Sequence, residues 1–169
     1  MHRRVLLTGS FALLIAPGLV GGHGNERGVV TAEMAGGKLT IDHGRPLAKG
    51  RDLMSLIKPG GYWRMGADAA TTLTTDLDLM FGGQRVPKGK YTLLAHFLEG
   101  GKWSLVVAEG ATQPGWEPTK VLGEAPGTIS KIGPVDTLTI RLETQVGGKL
   151  GKLIVEWGTS RLTADFSAA

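Results

Sequence analysis

The chain has 169 residues, with 19 Lys or Arg, 15 Asp or Glu, a net charge of +4 and no cysteine. That length suits one domain. The missing cysteine excludes disulfides and a thiol nucleophile, so stability must come from a packed core.

The chain opens with His2, Arg3 and Arg4, then the apolar run VLLTGSFALLIAPGLV, then small residues. This is the three-part pattern of an export signal, predicted over residues 1–22. Val20 and Gly22 would stand three and one residues before a cut ahead of His23, and a cut after Gly21 or Gly24 fits nearly as well. The run is shorter than the roughly 20 residues a membrane span needs, and Gly and Pro break it, so no span is expected after processing. With no cysteine at the cut, a lipid anchor on a cysteine is excluded. The expected location is periplasmic or extracellular. Removing Arg3 and Arg4 leaves 17 basic against 15 acidic side chains, a near-neutral balance that gives no support to nucleic-acid binding.

Residues 23–37 are assigned to an N-terminal extension or first strand, and 38–169 to one domain. Gly pairs punctuate it at 36–37, 60–61, 82–83, 100–101 and 147–148. Between them the chain alternates with period two. KLTIDH places Leu39 and Ile41 on one face, and TTLTTDLDLMF aligns Leu73, Leu77, Leu79 and Phe81. In the intervening connection, 45–61, DLMSLI predicts one helical turn with Asp52 as its N-cap. KYTLLAHFLE and WSLVVAE are apolar on both faces and read as a central hairpin. Tyr91, two residues after Gly89, fits a tyrosine corner whose hydroxyl bonds to upstream backbone. EGATQPGWEPTKVLGEAP, with Trp116, reads as a surface loop. DTLTIRLET, KLIVEW and RLTADF alternate again, setting Leu153, Val155 and Trp157 on one face. Short alternating strands between Gly turns predict an all-β fold. It is an antiparallel β-sandwich (Greek-key, immunoglobulin-like or jelly-roll-like) with one short helical turn.

The densest chemistry lies in YWRMGAD and just before it. His43, Arg45, Arg51, Trp63, Arg64 and Asp68 form the candidate ligand site. If the 45–61 connection folds over the start of the Trp63 segment, three guanidiniums converge beside an indole. That pocket suits a small anionic or carbohydrate ligand. The competing reading is architectural: Arg64 pairs with Asp68, Gly66 makes the turn, and Arg45 and Arg51 bond loop carbonyls. Metal binding lacks support, because the histidines show no HxH or HExxH spacing. His96, on the face of its strand opposite Phe97, reads as a structural histidine. No serine sits in a G-x-S-x-G elbow. Asp76, Asp78, Glu143 and Glu156 read as solvated residues on wet strand faces. No cofactor is implied.

Five segments, IDHGRPLAKGR, WRMGADAATTLTTDLDLMFGG, VPKGKYTLLA, KWSLVV and IVEWGTSRLTADF, resemble in order and spacing an exported bacterial family catalogued as domain of unknown function 2911. The resemblance implies export and a β-rich domain, and no established activity, cofactor or partner. Members commonly carry Asn-Glu where this chain has Asp68-Ala69. The expected function is a non-catalytic module, exported and binding a small ligand or an envelope component. A carboxylate-dependent hydrolase of an envelope or extracellular polymer, with Asp42 and Asp68 at the same end, and a purely structural module stand as alternatives.

Overall fold

The computed structural model describes residues 25–169 of the chain. The predicted export signal over 1–22, and His23 as its new N-terminus, lie outside the described residues. The first strands are β1 (Arg27–Met34) and β2 (Gly37–Gly44), followed by the turn α1 (Leu53–Leu56). Next come β3 (Tyr62–Trp63), β4 (Thr71–Thr75), β5 (Leu79–Phe81) and β6 (Gln84–Val86). The central hairpin is β7 (Gly89–Leu98) and β8 (Lys102–Ala108), joined by a 3-10 turn over Glu99–Gly101. A small hairpin, β9 (Ala111–Thr112) and β10 (Glu117–Pro118), precedes the long strands β11 (Val121–Thr144) and β12 (Leu150–Ala168).

Ten strands form one antiparallel sheet in the order β1-β2-β4-β7-β8-β11-β12-β5-β6, with β3 added on β7. The sheet turns over on itself. Inward residues Leu39, Ile41, Leu73, Leu93 and Leu105 from β2, β4, β7 and β8 meet Phe81, Leu142, Leu153 and Phe166 from β5, β11 and β12. The gap they leave is only about 10 Å³, too small for more than a water, so the two layers pack as a sandwich core. The all-β antiparallel sandwich that the period-two pattern predicts is the fold observed.

Local expectations fare unevenly. Asp52 caps α1, its Oδ1 accepting from Met54 N–H at 3.3 Å. The Tyr91 hydroxyl donates to the Pro87 carbonyl at 2.8 Å, which fixes the approach to β7 as a tyrosine corner does. TTLTTDLDLMF, however, is two strands. β4 pairs with β2 and β7, whereas β5 pairs with β12 and β6, so the chain changes layers between them. The Thr75 hydroxyl makes the bend by donating to the Leu77 carbonyl at 2.7 Å and accepting from Leu77 N–H at 3.2 Å. The alternation survives the crossing because Leu73, Thr75, Leu79 and Phe81 are all buried.

EGATQPGWEPT, expected as loop, contains the β9–β10 hairpin. It lays Trp116 beside Tyr62 over Leu94, Val106 and Ala108, a second small core on the outer face of β7 and β8. This explains why those two strands are apolar on both sides. In β12, Gly158 takes φ +58, and the pairing with β11 slips on either side of Val135, opposite it. The slip switches the inward set from odd residues (Leu153, Val155, Trp157) to even ones (Leu162, Ala164, Phe166).

Candidate functional site

The 45–61 connection is seated on this bulged region. Ala48 N–H donates to the Asp136 carbonyl at 2.6 Å, and Leu138 N–H donates to the Pro46 carbonyl at 3.0 Å. A Cβ on Gly158 would stand 2.9 Å from the Arg51 carbonyl oxygen, so the connection lies directly on the backbone of β12. From there α1 faces β3 across a cleft of about 280 Å³ at one end of the sandwich.

The floor of the cleft is Trp63 and Trp157, whose rings stack with centroids 5.9 Å apart at 25°. Leu53, Leu56 and Ile57 of the α1 segment form its apolar wall. Asn25, Arg51 and Arg64 supply polar groups, and among the described residues no carboxylate lines it. Arg51 is held in place. Its Nε donates to the Ala48 carbonyl at 2.9 Å and its Nη2 to the Leu47 carbonyl at 2.6 Å, while its Cζ lies 5.1 Å from the Trp157 ring centroid. Arg64 differs. Its Cζ lies 4.7 Å from the Trp116 ring centroid, and its Nε is buried without a hydrogen-bond partner among the described residues. Stacking occupies the face of a guanidinium and leaves its N–H edge unsatisfied.

Of the six candidate residues, the cleft therefore gathers Arg51, Trp63 and Arg64. The other three lie elsewhere. Arg45 pairs with Glu26, Nη1 to Oε1 at 3.0 Å, so the expected convergence of three guanidiniums does not occur. His43 is buried, with Nδ1 3.1 Å from the Gly44 carbonyl oxygen. Burial lowers its pKa from the ordinary 6.5, and Arg45 and Arg27 add to the effect against the Gly44 hydrogen bond and Asp42. Asp68 is exposed, and its Oδ2 accepts from the backbone N–H of Asn25 at 3.0 Å and from its Nδ2 at 3.4 Å.

The expected Arg64–Asp68 pair is not formed, because Arg64 turns to Trp116 and Asp68 to Asn25. Gly66 is not the left-handed residue of the turn either. Met65 (φ 50) and Asp68 (φ 61) take those positions. Gly66 instead permits close approach, since a Cβ there would lie 3.1 Å from Gly44 N. Thr71 closes the segment by donating its hydroxyl to the Met65 carbonyl at 2.9 Å.

Three of the carboxylates considered for acid–base chemistry are paired with arginines. Asp42 pairs with Arg27, and Asp78 pairs with Arg85 while accepting from Lys88 N–H at 2.7 Å. Glu156 is not solvated as its strand face suggests. It is buried between Arg141, whose Nη1 is 2.6 Å from Oε2, and Arg161, whose Nη2 is 2.6 Å from Oε1. His96 stacks on Tyr62 at 4.4 Å and 12°, with Nδ1 3.3 Å from Glu124 Oε1. Among the described residues no three His, Asp or Glu side chains stand close enough to hold a metal ion, and no helix is long and apolar enough to cross a membrane.

Sequence reasoning missed Trp157 and Asn25 as cleft residues and Trp116 as the platform for Arg64. Trp157 follows the inward register, which signals core packing and hides its second role as floor. Trp116 was visible only as an aromatic in a Pro- and Gly-rich segment.

No curated protein matches the chain, and no solved structure does. A family described as a protein of unknown function, DUF2911, matches residues 25–166, from Asn25 at the cleft to Phe166 in the core, and the chain belongs to that family.

Proposed function

We propose that this protein is an exported, non-catalytic module that binds a small ligand in the cleft between α1 and the Trp63–Trp157 stack. The observation that carries the reading is the cleft itself, about 280 Å³, which gathers Asn25, Arg51 and Arg64 beside the stacked indoles. The α1 side chains supply apolar contacts and Asn25, Arg51 and Arg64 a few polar groups, the two kinds of contact from which small-molecule sites are built. No carboxylate lines the cleft among the described residues, so acid–base hydrolysis has no acid or base there. Export is supported by the basic start, apolar run and small residues of positions 1–22.

A thermal-shift screen of anionic metabolites and oligosaccharides tests the binding. A ligand that raises the melting temperature of the wild type, and no longer does so in the Arg51→Ala, Arg64→Ala double variant, supports the reading. If no compound stabilises the wild type, or the shift survives both substitutions, the cleft is not the site. Mass spectrometry of the product recovered outside the cytoplasm should find a chain lacking residues 1–22. A full-length product would overturn export with cleavage.

A structural reading has one observation in its favour, the two hydrogen bonds from Arg51 to loop carbonyls. On that reading Arg64→Ala lowers stability and changes no binding.

A further inference from the structure

We infer that the β9–β10 hairpin is a flap that swings off the outer face of β7 and β8 while the ten-stranded sheet stays folded. The motion does not depend on what the cleft binds.

The hairpin is fastened to the rest of the molecule by side-chain packing alone. β9 and β10 form a two-stranded sheet separate from the main one. Toward the base, Thr119 N–H donates to the Gly110 carbonyl at 3.0 Å and Glu109 N–H to the Lys120 carbonyl at 2.9 Å. The exposed Lys120–Glu109 ion pair, at 2.8 Å, closes the same ladder. Among the described residues, no hydrogen bond of residues 110–119 reaches a residue outside the hairpin. None of these residues is buried, and Trp116, Ala111 and Pro118 are only half-covered.

What lies underneath is fully dry. Leu94, Val106 and Ala108 are buried, with Trp116, Tyr62 and Ala111 packed over them. They sit on the outer face of their strands, where His96 and Ser104 follow in the same register. Covering this apolar patch favours the closed position.

Two features oppose it. Trp116 takes φ +59, the left-handed region that a bulky side chain rarely adopts. Arg64 holds its guanidinium 4.7 Å from the Trp116 ring centroid, and its Nε is buried without a hydrogen-bond partner among the described residues. Swinging away relaxes the Trp116 backbone and unstacks the guanidinium, which can then turn that N–H to water. The closed form is thus the resting state and the open form a minor one in the same ensemble.

The base of the hairpin supplies the hinge. The chain bends at Glu109 and over Thr119–Lys120, with Gly110 between β8 and β9. On the returning side, the pairing of β11 with β8 slips between Val121 and Gly123. Such places absorb backbone rotation without disturbing the ladder beyond them. Arg64 also lines the cleft, so flap and cleft share one side chain.

The chain has no cysteine, so a single introduced thiol is a unique reporter. Val106 and Val107 are neighbours on β8 and both are buried, Val106 under the flap and Val107 in the main core. Val106→Cys and Val107→Cys are each treated with dithiobis(nitrobenzoate) in native buffer and in low urea. Each rate is divided by that of the same variant fully unfolded. Val106→Cys should react at least about 10-fold faster than Val107→Cys, because local opening is less costly than unfolding. Its rate should also rise less with urea, because opening the flap exposes less surface. Should either valine variant fail to fold, Leu94→Cys and Leu93→Cys make the same comparison on β7. A thiol under the flap that reacts no faster than its neighbour in the main core, or responds to urea equally steeply, would show that the hairpin leaves only when the sheet unfolds. That result overturns the flap.

Discussion

Trp157 Nε1–H donates to the carbonyl oxygen of Pro46 at 2.9 Å, a bond between residues 111 positions apart. It joins the bulged strand β12 to the start of the 45–61 connection. The same indole stacks on Trp63 and lies under Arg51, so one side chain holds three parts of the cleft. Trp157→Phe keeps a ring and removes the donor, leaving the buried Pro46 carbonyl with only Leu138 N–H. Urea unfolding should show a loss of about 1–3 kcal/mol. A change below about 0.5 kcal/mol would mean that water replaces the bond.

Arg64→Ala alone should leave stability nearly unchanged. The substitution removes a stacking interaction worth about 0.5–1 kcal/mol and, at the same time, a buried donor without a partner among the described residues, which opposes folding. The midpoint of urea unfolding in the absence of ligand measures this. A loss beyond about 2 kcal/mol would assign Arg64 to the architecture.

Gly44 faces the segment that introduces β4. A Cβ there would lie 2.4 Å from the Ala67 carbonyl oxygen and 2.7 Å from Ala67 N, both backbone atoms that have little freedom to move. Gly44→Ala should therefore destabilise the fold by about 3 kcal/mol or more, the upper end of overpacking costs. By contrast, Gly36→Ala meets open space and is opposed only by its left-handed φ of +79. Its cost should be smaller, about 1 kcal/mol. Equal losses at the two positions would overturn the close-approach argument.

Acid should erode stability in two stages. Folded His43 titrates below its ordinary 6.5, chiefly because it is buried. The unfolded chain takes up a proton near pH 6.5 that folded His43 refuses, so stability falls as pH drops through that value until the folded imidazole also protonates. Glu156 acts lower on the scale. The hydrogen bond from Arg141 holds its carboxyl below the ordinary 4.5, burial opposes this, and Arg161 adds to the lowering. Its contribution is complete above that value and is lost as pH falls toward the lower folded one. Melting temperatures across the range should fall less steeply for His43→Gln below pH 6.5, and for Glu156→Gln below pH 4.5, than for the wild type. Parallel curves would exclude these groups as the cause.

Period two was readable wherever one face is dry. Leu39 and Ile41, Leu73 and Thr75, and Leu162, Ala164 and Phe166 all point inward as their spacing predicts. The course of β11 was not. Its first part, VLGEAPGT, carries two glycines and a proline and resembles a loop by composition. Tertiary packing requires one of those glycines. A Cβ on Gly127 would stand 2.2 Å from Trp103 Cε2, a contact that no local pattern encodes.

The candidate site was half legible for the same reason. Trp63 and Arg64 announce themselves by concentration of residue type. Nearness in sequence said nothing about direction, and His43 and Arg45 pack around Gly28 rather than over the cleft. Trp157 and Asn25 join from distant positions, and only the folded chain brings them there.

The 24-residue strand β11 pairs with β8 through Val121–Gly127 and with β12 from Gly127 to Thr144. One uninterrupted ribbon is thus shared by both halves of the molecule, and neither half owns a boundary at which it could detach. Melting one half must fray the other, so the molecule should denature in a single step. A cut within this ribbon would unseat the cleft and the opposite wall together.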